Sequence, residues 1–499
     1  MLLKSLLLPN EIELRAPSAA AESLSVAGIT ADSRSVKPGY IFAAFPPDKN
    51  RLANQQSGLN YIAEAMQKGA AAILAARADK TKIDSAISPP ILLAEDARIA
   101  YAKIAAKFFP GRPEKLLAIT GTNGKTSSSV FARHLWRQLG QKSASMGTIG
   151  VIGPDFKWEA SLTTADAAVF HQNLDKLAKA GITRAAFEAS SHGLAQGRIH
   201  GVQVEAAAFT NFTQDHLDYH PSMEEYFRAK MILFQDILKS GGTAVLNKDI
   251  PEYEKLAAIV KKRQLRIISY GKKNADIEVK NVTPQAQGQM LNLKVFGENF
   301  DVLLPLLGGF QVWNAMAALG SVIATDNRIQ ETVAGLGALP NVPGRMELVA
   351  QHPKGAPIFV DYAHTPDALQ NVLRYARGLT SGKLWAVFGC GGDRDPSKRP
   401  LMGRIASQLA DKVIITDDNP RSEEPGAIRA AILKECKGAE EIGDRRLAIE
   451  TAIKNLSKGD VLIIAGKGHE QGQIIKGQTF PFDDAKVACQ AVQQLGEAA

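Results

Sequence analysis

Residues 116–127 read LLAITGTNGKTS, an apolar run that turns into a glycine-rich loop ending in Gly-Lys-Thr. A buried strand that stops at such a loop and restarts as a helix presents backbone N–H groups and a positive helix end to a polyphosphate. Lys125 is then placed to reach the β- and γ-phosphates, and the Thr126 hydroxyl to bind Mg²⁺. The loop is shorter than a standard Walker A loop, because Ile119 stands where that motif begins with glycine. An ordinary strand-to-helix turn is the alternative, and we favour nucleotide binding.

Length and composition limit the classes of protein. At 499 residues the chain exceeds a single core, and 45% hydrophobic with 22% charged residues is typical of a globular protein. No apolar run reaches the length of a membrane span. The opening MLLKSLLLPNEIEL only faintly resembles a signal peptide, because Glu11 and Glu13 follow a short apolar run, and we expect it to belong to the mature protein. Three widely spaced cysteines without metal-ligand spacing favour a reducing, cytoplasmic location.

The net charge of +8 raises the question of nucleic-acid binding. The Lys and Arg residues are scattered in twos and threes and mixed with acidic residues, as at positions 261–263 and 445–446. Small anionic substrates explain a modest positive excess at least as well. We therefore expect no nucleic-acid partner.

The chain divides into three segments, and the sequence predicts an α/β fold with three domains. A small N-terminal α/β domain (1–111) ends at the linker FPGRP, residues 109–113. A central parallel-sheet ATPase domain (112–340) carries the phosphate loop. A C-terminal Rossmann-like α/β domain (341–499) starts near PNVPGR, residues 340–345. We expect the two larger domains to face each other across a cleft.

In the central segment, short apolar strands each end in polar residues. Glu188 follows RAAF, and His216 follows AAAFTNFTQ with Asp215 and Asp218 beside it. Parallel strands gather ligands at their carboxyl ends. Once a nucleotide lies on the loop, oxygen and imidazole groups there can hold a divalent cation that neutralises the γ-phosphate. Glu188 and His216 are thus candidate Mg²⁺ ligands.

The third segment repeats this pattern, with strands that end in DYAHTPDAL (361–369), GCGGDRDPSKRP (389–400), DNPR (418–421) and AGKGHE (465–470). Together with GTNGKTS (121–127), EASSHGLAQGR (188–198), NFTQDHLDYH (211–220), the helix ending at Ala229-Lys230, GGFQVWNAMAA (308–318) and PGRME (343–347), these motifs occur in one order. The chain resembles the Mur ligases of peptidoglycan synthesis, and the resemblance covers all three segments.

The resemblance implies an ATP-dependent amide ligation. A substrate carboxylate attacks the γ-phosphate of ATP to give an acyl phosphate, and an amine then displaces phosphate from the carbonyl. ATP and Mg²⁺ are the expected cofactors, and UDP-N-acetylmuramoyl-L-Ala-D-Glu and meso-diaminopimelate are the expected substrates. We expect a monomer.

The resemblance also assigns site residues, of which four are implied to be catalytic: Lys125, Glu188, His216 and Lys230. Lys230 matches a lysine that the family carbamylates (N6-carboxylysine), and the implied metal ligands are Thr126, Glu188, His216 and this carbamate. Implied ATP contacts are Gly121, Thr122, Asn123, Gly124, Lys125, Thr126, Ser127, Asn314, Arg345 and Asp361. Implied UDP-sugar contacts are Ser33, Thr163, Thr164, Ser190, Gln196 and Arg198. Implied diaminopimelate contacts are Arg394, Asp418, Asn419, Pro420, Arg421, Gly466 and Glu470.

The identity of the amine follows from Arg421. Diaminopimelate carries a distal carboxylate that lysine lacks, and an arginine fork pairs bidentately with a carboxylate but repels an ammonium. Glu470 can accept from the distal amine, and DNPR is the form that the family shows with diaminopimelate. A surface arginine after a turn is the alternative.

One region departs from the family pattern. Residues 45–51 read FPPDKNR where the family usually has a Gly-x-x-x-His-Gly-like loop, so uridine contacts are not assigned there. Two other functions stay open. A folylpolyglutamate synthase-like ligase shares the loop and the carbamylated lysine but lacks the Asp-Ser-Arg and DNPR motifs. A nucleotide switch would hydrolyse ATP without needing an acyl acceptor and an amine.

Overall fold

The computed structural model describes residues 1–15, 18–48, 56–84, 87–159, 162–285 and 287–497. Of the atypical segment at 45–51, residues 49–51 lie outside these ranges. Within them the chain forms three main sheets, of five, eleven and six strands, and a separate two-stranded one. None of the described helices is both long and apolar enough to span a bilayer.

The N-terminal unit is a five-stranded sheet with short helices. Its strands are Ile12–Arg15 (β1), Gly28–Thr30 (β2), Tyr40–Ala44 (β3), Ala72–Ala76 (β4) and Ile91–Ala94 (β5), and its helices are Leu3–Leu6 (α1), Ala19–Glu22 (α2), Ile62–Gln67 (α3) and Ala97–Phe108 (α4). The order is β1-β5-β4-β3-β2, and only β1 pairs in an antiparallel manner. Leu3 and Leu6 at the start of the chain are fully buried in this core.

The central unit is built on an eleven-stranded sheet. Its strands are Lys115–Thr120 (β6), Ser143–Gly147 (β7), Gly150–Ile152 (β8), Lys157–Trp158 (β9), Arg184–Glu188 (β10), Val204–Phe209 (β11), Leu238–Asn247 (β12), Arg266–Gly271 (β13), Ile277–Gln285 (β14), Gly288–Val295 (β15) and Glu298–Leu304 (β16). Its helices are Lys125–Gln138 (α5), Ala167–Lys179 (α6), Ser191–Ala195 (α7), Met223–Ile232 (α8), Tyr253–Lys262 (α9), Gly309–Asp326 (α10) and Ile329–Ala334 (α11).

The order of the central strands places the phosphate loop in the middle of the sheet. It runs β16-β15-β14-β13-β12-β11-β6-β10-β7-β8-β9, with β14 to β7 parallel and antiparallel hairpins added at both edges. Alternate residues of β6 face opposite sides, so that Leu117 joins one hydrophobic cluster with α5 and α10, and Leu116 joins another with α6. Since β10 and β11 flank β6, their polar carboxyl ends meet the loop.

The C-terminal unit has a six-stranded sheet. Its strands are Glu347–Gln351 (β17), Pro357–Asp361 (β18), Leu384–Phe388 (β19), Lys412–Ile415 (β20), Glu440–Glu441 (β21) and Val461–Ala465 (β22), followed by the hairpin Gly472–Ile475 (β23) and Gln478–Pro481 (β24). Its helices are Pro366–Leu379 (α12), Lys398–Leu409 (α13), Pro425–Leu433 (α14), Arg445–Lys454 (α15) and Asp484–Glu497 (α16). The order is β17-β18-β22-β19-β20-β21, parallel except at β17.

The α/β class is confirmed, and the parallel strands that the sequence indicates before its polar motifs are present as β6, β10, β11, β18, β19, β20 and β22. The edge hairpins β14–β16 and β8–β9 were not foreseen, because an edge strand is solvated on one face and carries a weaker apolar pattern. The boundaries at 111 and 340 stay predictions.

Candidate functional site

A cleft of about 1380 Å³ lies where the three units meet, with residues of all three in its wall. The predicted site residues that line it are Thr122, Asn123, Gly124, Lys125, Thr126, Thr163, Thr164, Glu188, Ser190, Gln196, Arg198, His216, Lys230, Arg345, Arg394, Asp418, Asn419, Arg421, Gly466 and Glu470. Those outside the lining are Ser33, Gly121, Ser127, Asn314, Asp361 and Pro420. The phosphate loop and DNPR, about 300 residues apart in the sequence, thus share one cavity.

The phosphate loop needs glycine at both ends. Gly121 has φ +139° and Gly124 has φ +88°, a region that side-chain-bearing residues rarely adopt. A Cβ at Gly121 would lie 1.9 Å from Oγ1 of Thr210, and one at Gly124 would lie 2.1 Å from Oδ1 of Asn314. Asn314 therefore lies behind the loop and shapes it. Ser127 is likewise buried in the first turn of α5.

Two lysines, the half-buried Lys125 and the buried Lys230, share one backbone acceptor at this loop. The Nζ of Lys125 donates to the carbonyl oxygens of Gly121 (3.0 Å) and Thr122 (2.7 Å). The Nζ of Lys230, at the end of α8, donates to the same Gly121 oxygen (2.7 Å) and lies 4.4 Å from the centre of the Tyr226 ring. Burial lowers the pKa of both amines, and for Lys230 the nearby Lys125 lowers it further. Residues 122–126 and Lys230 form what we call the phosphate-loop end of the cleft.

Glu188, at the end of β10, has a fixed carboxylate. Its Oε1 accepts from the backbone N–H of Thr148 (2.8 Å), and its Oε2 accepts from the Thr148 hydroxyl (3.2 Å). Gly147 leaves room for it, because a Cβ there would lie 2.0 Å from Oε1. The carboxylate is nearly fully buried and borders the cleft.

His216 is held beside a buried carboxylate. Its Nε2 lies 3.3 Å from Oδ2 of Asp215, and its backbone N–H donates to Oδ1 (2.9 Å). Burial, with Lys125 and Lys230 adding to it, lowers the pKa of His216 to about 3. The imidazole is therefore neutral near pH 7 and has a lone pair to offer. Burial opposes ionisation of Asp215, but its cationic and hydrogen-bonding neighbours hold its pKa below the usual value.

Five of the six predicted UDP-sugar residues form one connected wall. Thr164 Oγ1 donates to the Glu188 carbonyl oxygen (2.8 Å) and accepts from the Ser190 N–H (3.0 Å). Arg198 donates through Nη1 to the Thr164 carbonyl oxygen (2.7 Å) and through Nε to Oε1 of Gln196 (3.0 Å). The wall is thus braced internally around the carboxyl end of β10.

Thr163 belongs to this wall, whereas Ser33 does not. The Thr163 Oγ1 lies 3.1 Å from the Thr148 hydroxyl oxygen. The Ser33 hydroxyl donates to Oε2 of Glu64 (2.8 Å), and the Ser33 carbonyl oxygen accepts from Lys68 (3.0 Å). The described residues of the N-terminal unit that line the cleft are Gln56 and Tyr61.

Two residues of the C-terminal unit approach the loop differently. Arg345 reaches it, because its Nη2 donates to Oγ1 of Thr126 (3.1 Å) while its guanidinium lies 4.6 Å from the centre of the Tyr362 ring. Asp361 faces inward instead and accepts from the backbone N–H groups of Met346 and Ala363. Burial raises the pKa of Asp361 to about 6 despite the nearby Arg345.

DNPR is built around a buried cation at what we call the amine end, formed by Asp418, Asn419, Arg421, Lys467 and Glu470. The fully buried Lys467 donates to Oδ1 of Asn419 (3.0 Å) and Oε2 of Glu470 (3.1 Å). Asn419 in turn donates to the same Glu470 oxygen (2.8 Å). Gly466, at φ +111°, is required, because a Cβ there would lie 2.6 Å from Oδ2 of Asp418.

Arg421 has a left-handed backbone, and within the described ranges its side chain donates to backbone carbonyl oxygens. Its φ is +52°, and Nη1 donates to the carbonyl oxygen of Gly392 (2.8 Å). Burial, and then the second guanidinium of Arg394, lower its pKa. Arg394 lies 3.9 Å from Asp218 of the central unit. Pro420 lies outside the cleft, with its carbonyl oxygen against Gly392.

Sequence reasoning missed several residues of the cleft wall. These are Thr148, His192, Tyr219, Tyr362, His364 and Lys398, together with Lys467 beneath it. All of them except Thr148 lie inside motifs quoted above. Their position next to a predicted site residue was the signal that could have identified them. Thr148 had no such signal. In the part of the chain described, no three His, Cys, Asp or Glu side chains come together as a metal-binding group.

Comparison with known proteins decides the family. The family model described as Mur ligase middle domain matches residues 119–322, and that described as Mur ligase, glutamate ligase domain, matches residues 344–468. A relative from Zymomonas mobilis, named UDP-N-acetylmuramoyl-L-alanyl-D-glutamate–2,6-diaminopimelate ligase, is 47% identical over 471 residues, 94% of this chain and 95% of its own length. The chain belongs to the Mur ligase family. A Mesorhizobium japonicum protein of the same name is 45% identical to this Mur ligase over 93% of the chain and 94% of that protein.

Solved structures extend the comparison. A UDP-N-acetylmuramoyl-L-alanyl-D-glutamate–2,6-diaminopimelate ligase superposes on this Mur ligase with a TM-score of 0.65 and 35% identity, covering 94% of this chain and 95% of the other. The MurF ligase from Thermotoga maritima in complex with ADP has a TM-score of 0.63 at 18% identity, covering 97% and 100%. The Mycobacterium tuberculosis folylpolyglutamate synthase complexed with ADP and AMPPCP has 0.64 at 19%, covering 80% and 94%. The last two share the fold.

Proposed function

We propose that this Mur ligase joins meso-diaminopimelate to the D-Glu carboxylate of UDP-N-acetylmuramoyl-L-Ala-D-Glu at the expense of ATP, in the synthesis of peptidoglycan precursor. The relatives of nearly equal length carry that name. The observation that carries the proposal is the single cleft lined by the phosphate loop, the Glu188 wall and DNPR. A ligase must bring three substrates together, and this cavity joins three differently charged regions.

ATP would lie with its phosphates on the loop. The first N–H groups of α5 would donate to them, and Lys125 would exchange its carbonyl acceptors for phosphate oxygens. Arg345 reaches the same place from the C-terminal unit, so it would close over the nucleotide. Gly121, Ser127, Asn314 and Asp361 would support the site from outside the cleft.

The donor set fits Mg²⁺ held partly by phosphate. Thr126 offers a hydroxyl and Glu188 a carboxylate, the oxygen donors that a hard cation prefers, and His216 adds a neutral imidazole. These residues would hold it, and the ion would supply neutralisation of the charge that develops on the transferred phosphoryl group. The carbamate of Lys230 would add the further oxygen ligands that the unmodified side chains lack.

The surroundings of Lys230 favour carbamylation. Burial lowers its pKa, so a larger share of the amine is neutral and nucleophilic near pH 7. The nitrogen would attack the carbon of CO₂, and loss of one proton would leave a carbamate with charge −1. The ammonium that repels Lys125 would thus become an anion that attracts it. ¹³C-bicarbonate should give a carbamate NMR signal in the wild-type chain that is absent in Lys230→Ala.

The proposed reaction consists of two successive nucleophilic displacements. An oxygen of the D-Glu carboxylate attacks the γ-phosphorus and ADP leaves, which turns a poor electrophile into an acyl phosphate. The neutral amine of diaminopimelate then attacks the acyl carbon, the amine proton is lost, and phosphate leaves. The wall at Thr164, Ser190 and Arg198 would position the acceptor, and the protein's main contribution is alignment and charge neutralisation.

The amine end accounts for the choice of diaminopimelate. Arg421, with Arg394 beside it, would pair with the distal carboxylate, and Glu470 would accept from the distal amine. Lys467 already neutralises part of the acidic charge there, which makes a second ammonium without a carboxylate, as in lysine, a poor fit. The monomeric state and the cytoplasmic location predicted from the cysteines belong to the same proposal.

The test is release of phosphate from ATP with UDP-N-acetylmuramoyl-L-Ala-D-Glu present and either meso-diaminopimelate or L-lysine added. We expect turnover with diaminopimelate alone. Turnover with lysine would keep the ligase but reject the role of Arg421. Release that needs neither amine would favour a nucleotide switch, and turnover with a folate acceptor instead would favour the folylpolyglutamate synthase-like alternative.

A further inference from the structure

After β3, residues 45–48 run from the N-terminal unit to the wall of the cleft that the central unit forms. This segment is anchored by α4, whose Arg98 places its guanidinium 4.6 Å from the centre of the Phe45 ring and donates to the carbonyl oxygen of Pro46 (3.1 Å). The backbone leading to Asp48 is therefore fixed by its own unit. This is the segment where the sequence departs from the family pattern.

Asp48 bonds to two residues of the central unit. Its Oδ2 accepts from Nε2 of Gln196 (2.8 Å) and from the hydroxyl of Tyr219 (2.8 Å). Both partners line the cleft, and Asp48 is half-buried. One carboxylate oxygen of Asp48 thus holds two residues that are distant in the sequence, Gln196 by 148 positions and Tyr219 by 171 positions.

These bonds fix the orientation of the Gln196 amide. Its Nε2 lies within hydrogen-bonding distance of Asp48 and of the Tyr219 hydroxyl (3.2 Å), while its Oε1 accepts from Nε and Nη2 of Arg198. Arginine can only donate and an ionised carboxylate can only accept, so the reversed amide would face like with like on both sides. The donors and acceptors of Gln196 are therefore engaged within the protein, and the side chain acts as a bridge.

The bridge ends at a cation with a defined direction. Arg198 is held by Gln196 on one side and by the Thr164 carbonyl oxygen (2.7 Å) on the other, and it borders the cleft. A guanidinium is always charged and can only donate, so one that is held in this position at the cleft is suited to phosphate or carboxylate oxygens. The nucleotide sugar of the proposed function carries both kinds of group.

We infer that Asp48 is a positioning residue for the nucleotide-sugar substrate: from the N-terminal unit it orients Gln196 and Tyr219, and through Gln196 it aims Arg198. The inference rests on the proposed function for the identity of the ligand. Asp48 lies outside the lining of the cleft, whereas the phosphate loop and DNPR belong to it. Its loss therefore alters one substrate's binding and leaves the other two unchanged.

The experiment measures KM for each of the three substrates, together with calorimetric binding of UDP-N-acetylmuramoyl-L-Ala-D-Glu alone, on the full chain. In Asp48→Ala we expect KM and Kd for the nucleotide sugar to rise about tenfold, with kcat and the other two KM values within about twofold. In Asp48→Asn the amide oxygen can still accept from both partners, so the rise should shrink to about threefold. The matched control is Glu95→Gln, a highly exposed carboxylate just after β5, and it should match the wild type.

A double-mutant cycle with Gln196→Ala tests the route. Once Gln196 is absent, adding Asp48→Ala should raise the nucleotide-sugar Kd little further, and full additivity would contradict the bridge. Equal changes in all three KM values, or an Asp48→Ala chain that binds the nucleotide sugar as the wild type does, would overturn the inference and leave the ligase intact. A wild-type chain that neither binds nor turns over this substrate would overturn the proposed function itself.

Discussion

At the phosphate-loop end, Lys125 and Lys230 donate to backbone carbonyl oxygens, whereas at the amine end Lys467 donates to Asn419 and Glu470. The half-buried Lys125 and the buried Lys230 of the first region share the Gly121 oxygen, and burial, followed by repulsion from Lys125, lowers the pKa of Lys230. The cation of the second region has a carboxylate beside it and is fully enclosed. The first region is thus electrostatically incomplete until anions arrive, whereas the second is balanced before its ligand binds.

The largest effect should come from Lys230. If the phosphate-loop end needs a carbamate, Lys230→Ala should lower turnover by about 10³-fold or more, because it removes a charge that acts on the transferred phosphoryl group. Short carboxylates such as acetate should restore part of the activity. Phosphate release measures both results.

The matched control for this prediction is Lys262→Ala, which removes an exposed lysine from α9 and should leave turnover unchanged. If Lys230→Ala turned over at the wild-type rate, the phosphate-loop end would need no added anion at Lys230, and it would not differ from the amine end in this respect. A folding defect would be recognised by a lowered melting temperature.

The next effect concerns Arg421 at the amine end. Arg421→Ala should raise KM for diaminopimelate about 100-fold, since a charge-assisted pair with a carboxylate is lost, and should leave KM for ATP unchanged. Arg421→Lys keeps the charge but loses the fork, and it should recover little of the affinity. Equal losses for both substrates would assign Arg421 a structural role.

A smaller effect is expected from the shape of the phosphate loop. Gly124→Ala would place a Cβ 2.1 Å from Asn314 Oδ1 at φ +88°, so ATP affinity should fall by about tenfold or more. Gly140→Ala is the matched control, because Gly140 also has positive φ (+77°) but no atom within 4 Å of the added Cβ. Isothermal titration with ATP compares them. Equal affinities in the two variants would show that the loop tolerates the side chain.

The smallest effect should come from Thr148. Thr148→Val removes the hydroxyl that donates to Glu188 but keeps the backbone N–H bond, so kcat should fall by about fivefold. Thr148→Ser should restore most of the rate. If Thr148→Val has no effect on kcat, the backbone N–H bond alone positions the carboxylate of Glu188. Glu188 would then resemble the amine end, whose side chains are held in place before a ligand binds.

The sequence allowed prediction of those features that follow from local pattern. The strand–loop–helix at residues 116–138 and the strands that lead to Glu188 and Asp418 appear as apolar runs with polar ends, and the motif order led to the family. Two contacts could not be predicted, that of Thr148 with Glu188 and that of Asp48 with Gln196. Each depends on the tertiary fold, because the partners are separated in the sequence by 40 positions in the first pair and by 148 in the second. The inward-facing Asp361 likewise depends on where Met346 and Ala363 present their N–H groups.

The left-handed backbone at Arg421 has an evolutionary consequence. A residue with a Cβ at φ +52° carries a conformational cost of about 1–2 kcal/mol that glycine or asparagine would relieve. Selection for thermal stability alone would therefore favour replacing the side chain to which the proposed function assigns the choice of amine. Loss of amine selectivity would accompany such a gain, so a library sorted by melting temperature should accumulate substitutions at this position, and one sorted by growth should retain arginine.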